Sequence, residues 1–279
     1  MAGRAGAAAL VSVLTVFVSI GGAQDAAQQP LLSFAYYVDY DPNSWQTLAA
    51  YGRRLTTVIT TNFVVADQSG RIDGRHDSRV MDLARRGGAK VHFRISNDGG
   101  GSFNRAIAHA VLTDPAARSR AISGTLRALD SYGYDGVNID LEKVPPGDRA
   151  ALTSFTRELA QAVKSRGKAI SIAVPGTTAI YLDDPSSGGF DLAALGGLVD
   201  WIIIMAYDEH WDTGSPGPVA SLPWVEGVVR FNKTQVPVQK LLLGVAFYGY
   251  DWPRPGAGEA ISMREAARRA EAARATIQW

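Results

Sequence analysis

Seven short runs rich in aliphatic, aromatic and β-branched residues recur along the chain, and a helix-like segment follows each of them. The runs cover 33–38, 57–65, 90–95, 134–142, 169–174, 201–205 and 241–247. The helical segments cover 44–51, 78–86, 104–112, 115–132, 149–164, 191–198, 222–235 and 262–275. Strands that alternate with helices need crossover connections, and crossovers favour a parallel sheet with helices packed on it. The run Trp201-Ile202-Ile203-Ile204-Met205 is apolar throughout, as a strand buried on both faces must be. Local signals agree with these bounds. Ser44 suits the start of the first helix, Pro115 suits a first helical position, and Gly87-Gly88 ends a helix. An α/β fold of the (β/α)8 TIM-barrel type is expected, with about seven strands present; a doubly wound sheet is the alternative.

The fourth run carries the chemistry. Tyr134 to Glu142 reads YDGVNIDLE, so Asn138, Asp140 and Glu142 alternate with Val137, Ile139 and Leu141. On a strand, one face then holds an amide and two carboxyls while the other is aliphatic. A half-exposed surface strand gives the same alternation. The flanks argue otherwise: Asp135-Gly136 turns into the run, and Pro145-Pro146-Gly147 leads out of it into a helix. In a βαβ setting the aliphatic face meets helices, and the acids point into the barrel or its mouth. Two carboxyls close together repel, and burial adds to the effect, so one of them stays protonated near neutral pH. An acid beside a carboxylate is the equipment of glycoside cleavage. Other polar residues also fall at the C-terminal ends of strands, where barrels build their sites: Asp39, Asn97, Tyr207-Asp208 and Tyr248.

Composition narrows the remaining classes. Of 279 residues none is cysteine, which excludes disulfides, thiolate catalysis and zinc–thiolate centres. His76, His92, His109 and His210 lack metal-ligand spacing, so neither a metal nor another cofactor is expected. The net charge of +1 gives no field that would favour nucleic acid. Arg264, Arg268, Arg269 and Arg274 alternate with Glu265 and Glu271, as on a solvated helix face. Asp98-Gly99-Gly100-Gly101 lacks the spacing and lysine of a phosphate loop. Arg4, the apolar stretch 5–20 and Gly21-Gly22-Ala23 have signal-peptide anatomy. Residues 1–23 are therefore expected to be a cleaved leader and 24–30 a linker, with a monomeric catalytic domain over 31–279.

The segment from Asp135 to Glu142 resembles the D-G-x-D-x-D-x-E signature of family 18 glycoside hydrolases, the chitinase-like (β/α)8 enzymes. Met205-Ala206-Tyr207-Asp208 is similar to the family's M-x-Y-D motif. Asn138 departs from the usual aspartate. That departure, with Asp208-Glu209-His210-Trp211, Pro216-Gly217-Pro218 and Tyr248-Gly249-Tyr250-Asp251-Trp252, resembles the bacterial spore-cortex-lytic N-acetylglucosaminidases.

The resemblance implies that Glu142 is the general acid and that the substrate's own acetamido oxygen is the nucleophile. Asp140 would orient that acetamido group and hydrogen-bond Glu142, and Tyr207 would donate to the acetamido oxygen. Asn138 would bond Asp140. Asn138, Asp208, Tyr248, Trp211 and Asn97 are the candidate substrate-binding residues. The implied partner is an N-acetylglucosamine-containing polysaccharide outside a bacterial cell, peptidoglycan rather than chitin, with no stable membrane association. A catalytically silent sugar-binding relative is the competing class; such relatives typically lose the acid, which is present here as Glu142. Family members continue into an insertion and an eighth strand carrying a tryptophan. Ile277-Gln278-Trp279 resembles the start of that insertion, so a C-terminally incomplete barrel is expected.

Overall fold

The computed structural model describes residues 32–98, 102–254 and 256–276. The expected leader, linker and closing Ile277-Gln278-Trp279 lie outside the described residues. Among the described residues no helix is long and apolar enough to cross a membrane.

The chain alternates strands and helices in the expected order. It runs through β1 (Phe34–Tyr37), α1 (Pro42–Tyr51), β2 (Thr57–Val65), β3 (Ile72–Gly74), α2 (Ser78–Arg86) and β4 (Lys90–Ser96). Next come α3 (Arg105–Thr113), α4 (Pro115–Tyr132), β5 (Gly136–Asp140), α5 (Arg149–Lys164), β6 (Ala169–Pro175) and α6 (Leu192–Leu198). Last are β7 (Trp201–Met205), α7 (Leu222–Gln235), β8 (Leu241–Leu243), β9 (Tyr248–Asp251), β10 (Glu259–Ser262) and α8 (Met263–Ala272). Seven strands pair in parallel in the order β1-β2-β4-β5-β6-β7-β8, and short β3 adds antiparallel to β2.

The two faces of this sheet have different jobs. Val91, Phe93 and Ile95 of β4, Val137 and Ile139 of β5, and Ile170, Ile172 and Val174 of β6 point outward. They pack with Val111 and Leu112 of α3, Leu129 of α4 and Phe155, Leu159 and Val163 of α5 in one continuous core. Burying a side chain of this size contributes roughly 1.5–3 kcal/mol, so this layer dominates the stability of the sheet.

The inner face curls. Phe34 of β1, Ile59 of β2, Ile203 of β7 and Leu242 of β8 form a separate small cluster. Phe34 meets Trp201 edge-on at 5.1 Å. These contacts bring the first strands against the last ones, as in a TIM barrel. Among the described residues β1 and β8 do not pair with each other. A cavity of about 290 Å³ lies beside this seam, lined by Tyr37, Leu48, Tyr51, Phe247 and Met263 among others. Gly136 sits on the floor of the curl, where a Cβ would come within 2.6 Å of both the His92 ring and the Ala169 carbonyl.

Several boundaries differ from expectation. The acidic strand expected over 134–142 is β5, Gly136–Asp140, so Leu141 and Glu142 lie just beyond its end. The first helix starts at Pro42 because the Asp41 carboxylate accepts from Asn43 N, and proline suits the first helical position. The last parallel strand stops at Leu243: the bond from Gly244 N to Ile204 O closes its ladder with β7, and residues 245–247 lie outside it. The hairpin of β9 and β10 was not expected as sheet, and it matters for the site.

Candidate active site

Parallel register stacks the inward residues of neighbouring strands. Arg94 lies opposite Asn138, Ser96 opposite Asp140, and Asn138 opposite Ser171. The polar face of β5 therefore meets further polar residues inside the curl, while its aliphatic face meets the helices.

Asp140 is buried, and its Oδ2 accepts from Arg94 at 3.1 Å. Its Oδ1 is buried with no hydrogen-bond partner among the described residues. Burial raises the Asp140 pKa, and the Arg94 guanidinium opposes that rise. Glu142 follows two residues later and is only partly covered. Burial raises its pKa well above the ordinary carboxylate range, and the charge of Asp140 raises it further. Burial raises both pKa values, but only Asp140 has the guanidinium as a hydrogen-bonded partner, so Glu142 keeps its proton to higher pH than Asp140 does.

The Glu142 backbone is clamped. Asn97 Oδ1 accepts from Glu142 N, and Asn97 Nδ2 donates to Glu142 O, both at 2.9 Å. The same amide nitrogen donates to Asn104 O at 2.9 Å. The next residue, Lys143, has φ of 54°, so the chain turns sharply once the acid is in place. A left-handed lysine costs about 1–2 kcal/mol, and such local strain concentrates at functional sites.

The wall opposite is aromatic. Burial, with Asp140, Glu142 and Asp208 close enough for their charges to be felt, raises the Tyr207 hydroxyl pKa well above its usual value. That hydroxyl stays a proton donor at any working pH. Asp208 adopts φ of 61° at the turn after β7. Its Oδ1 accepts from Tyr248 at 2.6 Å and from Tyr250 at 2.9 Å. Residue Asp208 reaches the surface, but its carboxyl lies among tyrosines; burial raises its pKa and the two hydroxyls offset part of the rise. The two tyrosines share a face because they are two apart on β9. Tyr207, Tyr248, Tyr250 and Trp252 form a chain of ring contacts at 6.1, 5.7 and 5.5 Å.

Several expected roles change in the structure. Asn97 is fully buried and its amide is committed to backbone, so it props Glu142 rather than touching sugar. Asn138 is also fully buried. It bonds the Tyr36 hydroxyl at 3.0 Å and Ser171 Oγ at 2.9 Å instead of Asp140. It therefore supports the site from beneath. The expected bond from Asp140 to Glu142 is replaced by the Arg94 pair; the two acids interact through charge. Trp211 is 50% exposed on the loop after β7, with its Nε1 bonded to Thr213. No described interaction ties it to the acids. Asp39 is simply exposed at the end of β1.

Arg94, Tyr36 and Tyr250 were not expected from sequence. Arg94 had a visible signal: a cation two residues from His92 on the inward side of a strand whose other side is Val91, Phe93 and Ile95.

A parallel curled sheet with an acid pair at the mouth of its central strand defines a TIM-barrel glycosidase-type site. The profile of Glycosyl hydrolases family 18 matches residues 32–274, and the chain belongs to that family. Among curated proteins, the chain is 37% identical over 189 residues to YdhD of Bacillus subtilis, whose name marks it as a candidate sporulation-specific glycosylase. That match covers 66% of this chain and 44% of the relative. It is 29% identical over 182 residues to a cortical fragment-lytic enzyme of Bacillus anthracis, covering 64% of this chain and 41% of the relative. The chain thus spans less than half the length of these two relatives. Among solved structures, a chitinase from Chromobacterium violaceum aligns with a TM-score of 0.80 and 30% identity, over 86% of this chain and 75% of that one. The Bacillus cereus spore cortex-lytic enzyme SleL aligns with a TM-score of 0.82 at 24% identity, over 92% of this chain and 61% of that one, which speaks for the fold.

Proposed function

We propose that the protein is a secreted glycosidase that cleaves β-1,4 bonds following N-acetylhexosamine units by substrate-assisted, retaining catalysis. The observation that carries this reading is the unequal setting of two neighbouring carboxyls: Asp140 is buried against Arg94 at 3.1 Å, and Glu142 has its pKa raised by burial and by the Asp140 charge. The Glu142 proton passes to the glycosidic oxygen as the bond from C1 to that oxygen breaks. The acetamido oxygen forms a bond to C1, giving a cyclic oxazolinium. Asp140 Oδ1, an unused buried acceptor, takes the acetamido N–H, and its charge stabilises the cation that develops. Tyr207 donates to the acetamido oxygen and aligns it. Asp208, Tyr248 and the neighbouring aromatic rings hold the sugar. Water then attacks C1 from the face the leaving group vacated, the ionised Glu142 takes its proton, and the ring opens with retained configuration.

Bacterial cell-wall glycan is favoured over chitin. Asn138 stands where the chitinase-like signature has aspartate, and relatives bearing the name cortical fragment-lytic enzyme support the same direction. Reducing-end release should be faster from cortex-derived muropeptide chains than from chitin oligosaccharides of equal length. Faster release from chitin oligosaccharides would reverse the assignment of substrate and leave the chemistry intact.

A further inference from the structure

We propose that Arg94 is a positioning residue that keeps Asp140 ionised by pairing with it from the neighbouring strand β4. The inference rests on the glycosidase reading above. Asn138 does not supply that support: its Oδ1 accepts from Tyr36, its Nδ2 donates to Ser171, and an amide carries no charge to set against Asp140. Arg94 does: it is 12% exposed, and its two terminal nitrogens divide between Asp140 at 3.1 Å and Asp98 at 2.7 Å, themselves 8% and 16% exposed.

The arrangement is a three-charge relay. Asp98 competes for the same guanidinium and adds negative charge near Asp140, while Ser96 Oγ and Arg94 hold Asp98 in place. Among the described residues, the other groups that face Arg94 or the acids are Tyr36 from β1, Tyr40 after it, Glu142 beyond β5, and Tyr207 with Asp208 after β7. The tyrosine hydroxyls have raised pKa values and stay neutral, so Arg94 is the cation that the structure sets against the Asp140 carboxylate. Without it, a buried carboxylate beside Asp98 takes up a proton. A neutral Asp140 offers the oxazolinium no charge, so the active form of the pair is lost at low pH first.

The two neighbours of Asp140 should therefore move the acidic limb of the kcat/KM profile in opposite directions. On an aryl N-acetyl-β-glucosaminide, Arg94→Gln should raise the limb by about 1–3 pH units. Asp98→Asn should lower it, and Arg94→Lys should stay nearer wild type than Arg94→Gln does. A purely structural role predicts lower activity with an unmoved limb in all three. An unmoved limb, or limbs that move together in Arg94→Gln and Asp98→Asn, overturns the proposal. Should Arg94→Gln fail to fold, Arg94→Lys and Asp98→Asn decide by the same criterion. Should wild type show no turnover, the glycosidase reading fails by itself. Carboxyl-carbon NMR titration of Asp140 then tests Arg94 separately: the Asp140 pKa must fall in Asp98→Asn and rise in either Arg94 variant, and unchanged values refute the inference.

Discussion

Glu142→Gln is expected to lower kcat/KM on an aryl N-acetyl-β-glucosaminide by about 10²–10⁴-fold, the usual contribution of a general acid, with KM nearly unchanged. The amide keeps the shape and the Asn97 clamp on the backbone, and removes only the proton that the leaving oxygen needs. The same variant should change stability in a way that depends on pH. The folded-state pKa of Glu142 lies above its unfolded value, so the native chain binds the proton more readily than the unfolded one. Its favourable contribution is complete below the unfolded pKa and is lost as pH rises through the folded pKa. Glutamine carries no such dependence. Thermal melts should therefore show Glu142→Gln gaining on wild type as pH rises above the ordinary carboxylate range. A melting difference that stays constant as pH rises would contradict the raised pKa, and undiminished turnover would remove Glu142 from the role of acid.

Asp140→Asn is the second large effect, a loss of about 10²–10³-fold in kcat, the scale of removing one preorganised electrostatic contact to a developing charge. Its pH signature is distinct from that of the Arg94 variants. Asp140 raises the pKa of Glu142, so its neutralisation lets Glu142 ionise at lower pH. The basic limb of the profile should move toward acid as the maximum rate falls. A reduced rate with an unmoved basic limb would mean that the two carboxyls do not interact as their burial implies. Variants of Glu142 and Asp140 should also be non-additive, since the residues act as one unit.

The sequence was most legible where one periodicity ruled. Helices α2, α4, α5 and α7 and strands β2 and β7 have the expected bounds: the helices carry apolar residues at helical period, and the strands are β-branched or wholly apolar runs. Alternation alone fits a surface strand equally well; the turn and proline flanks of the acidic run decided its placement, and the structure puts Asn138 and Asp140 of β5 inside the curl as expected. The β9–β10 hairpin was missed because its stretch, rich in Gly, Pro and aromatics, carries no strand period beyond Tyr248 and Tyr250. Roles were harder to read than positions. Asn97 and Asn138 look like sugar-binding amides in one dimension, yet only three-dimensional neighbours show their hydrogen bonds already spent on Glu142, Tyr36 and Ser171. Arg94 is the converse case: its partner Asp140 is 46 residues away, and register alone brings the pair together.

The central claim is that Glu142 supplies the proton while the substrate, not the protein, supplies the nucleophile. Proton NMR of an aryl N-acetyl-β-glucosaminide during the first minutes of hydrolysis tests it most directly. The account predicts that the first sugar released is the β anomer, that Glu142→Gln abolishes its appearance, and that replacing the 2-acetamido group by hydroxyl abolishes turnover by wild type. Release of the α anomer first, or equal turnover of the 2-hydroxy substrate, would contradict it.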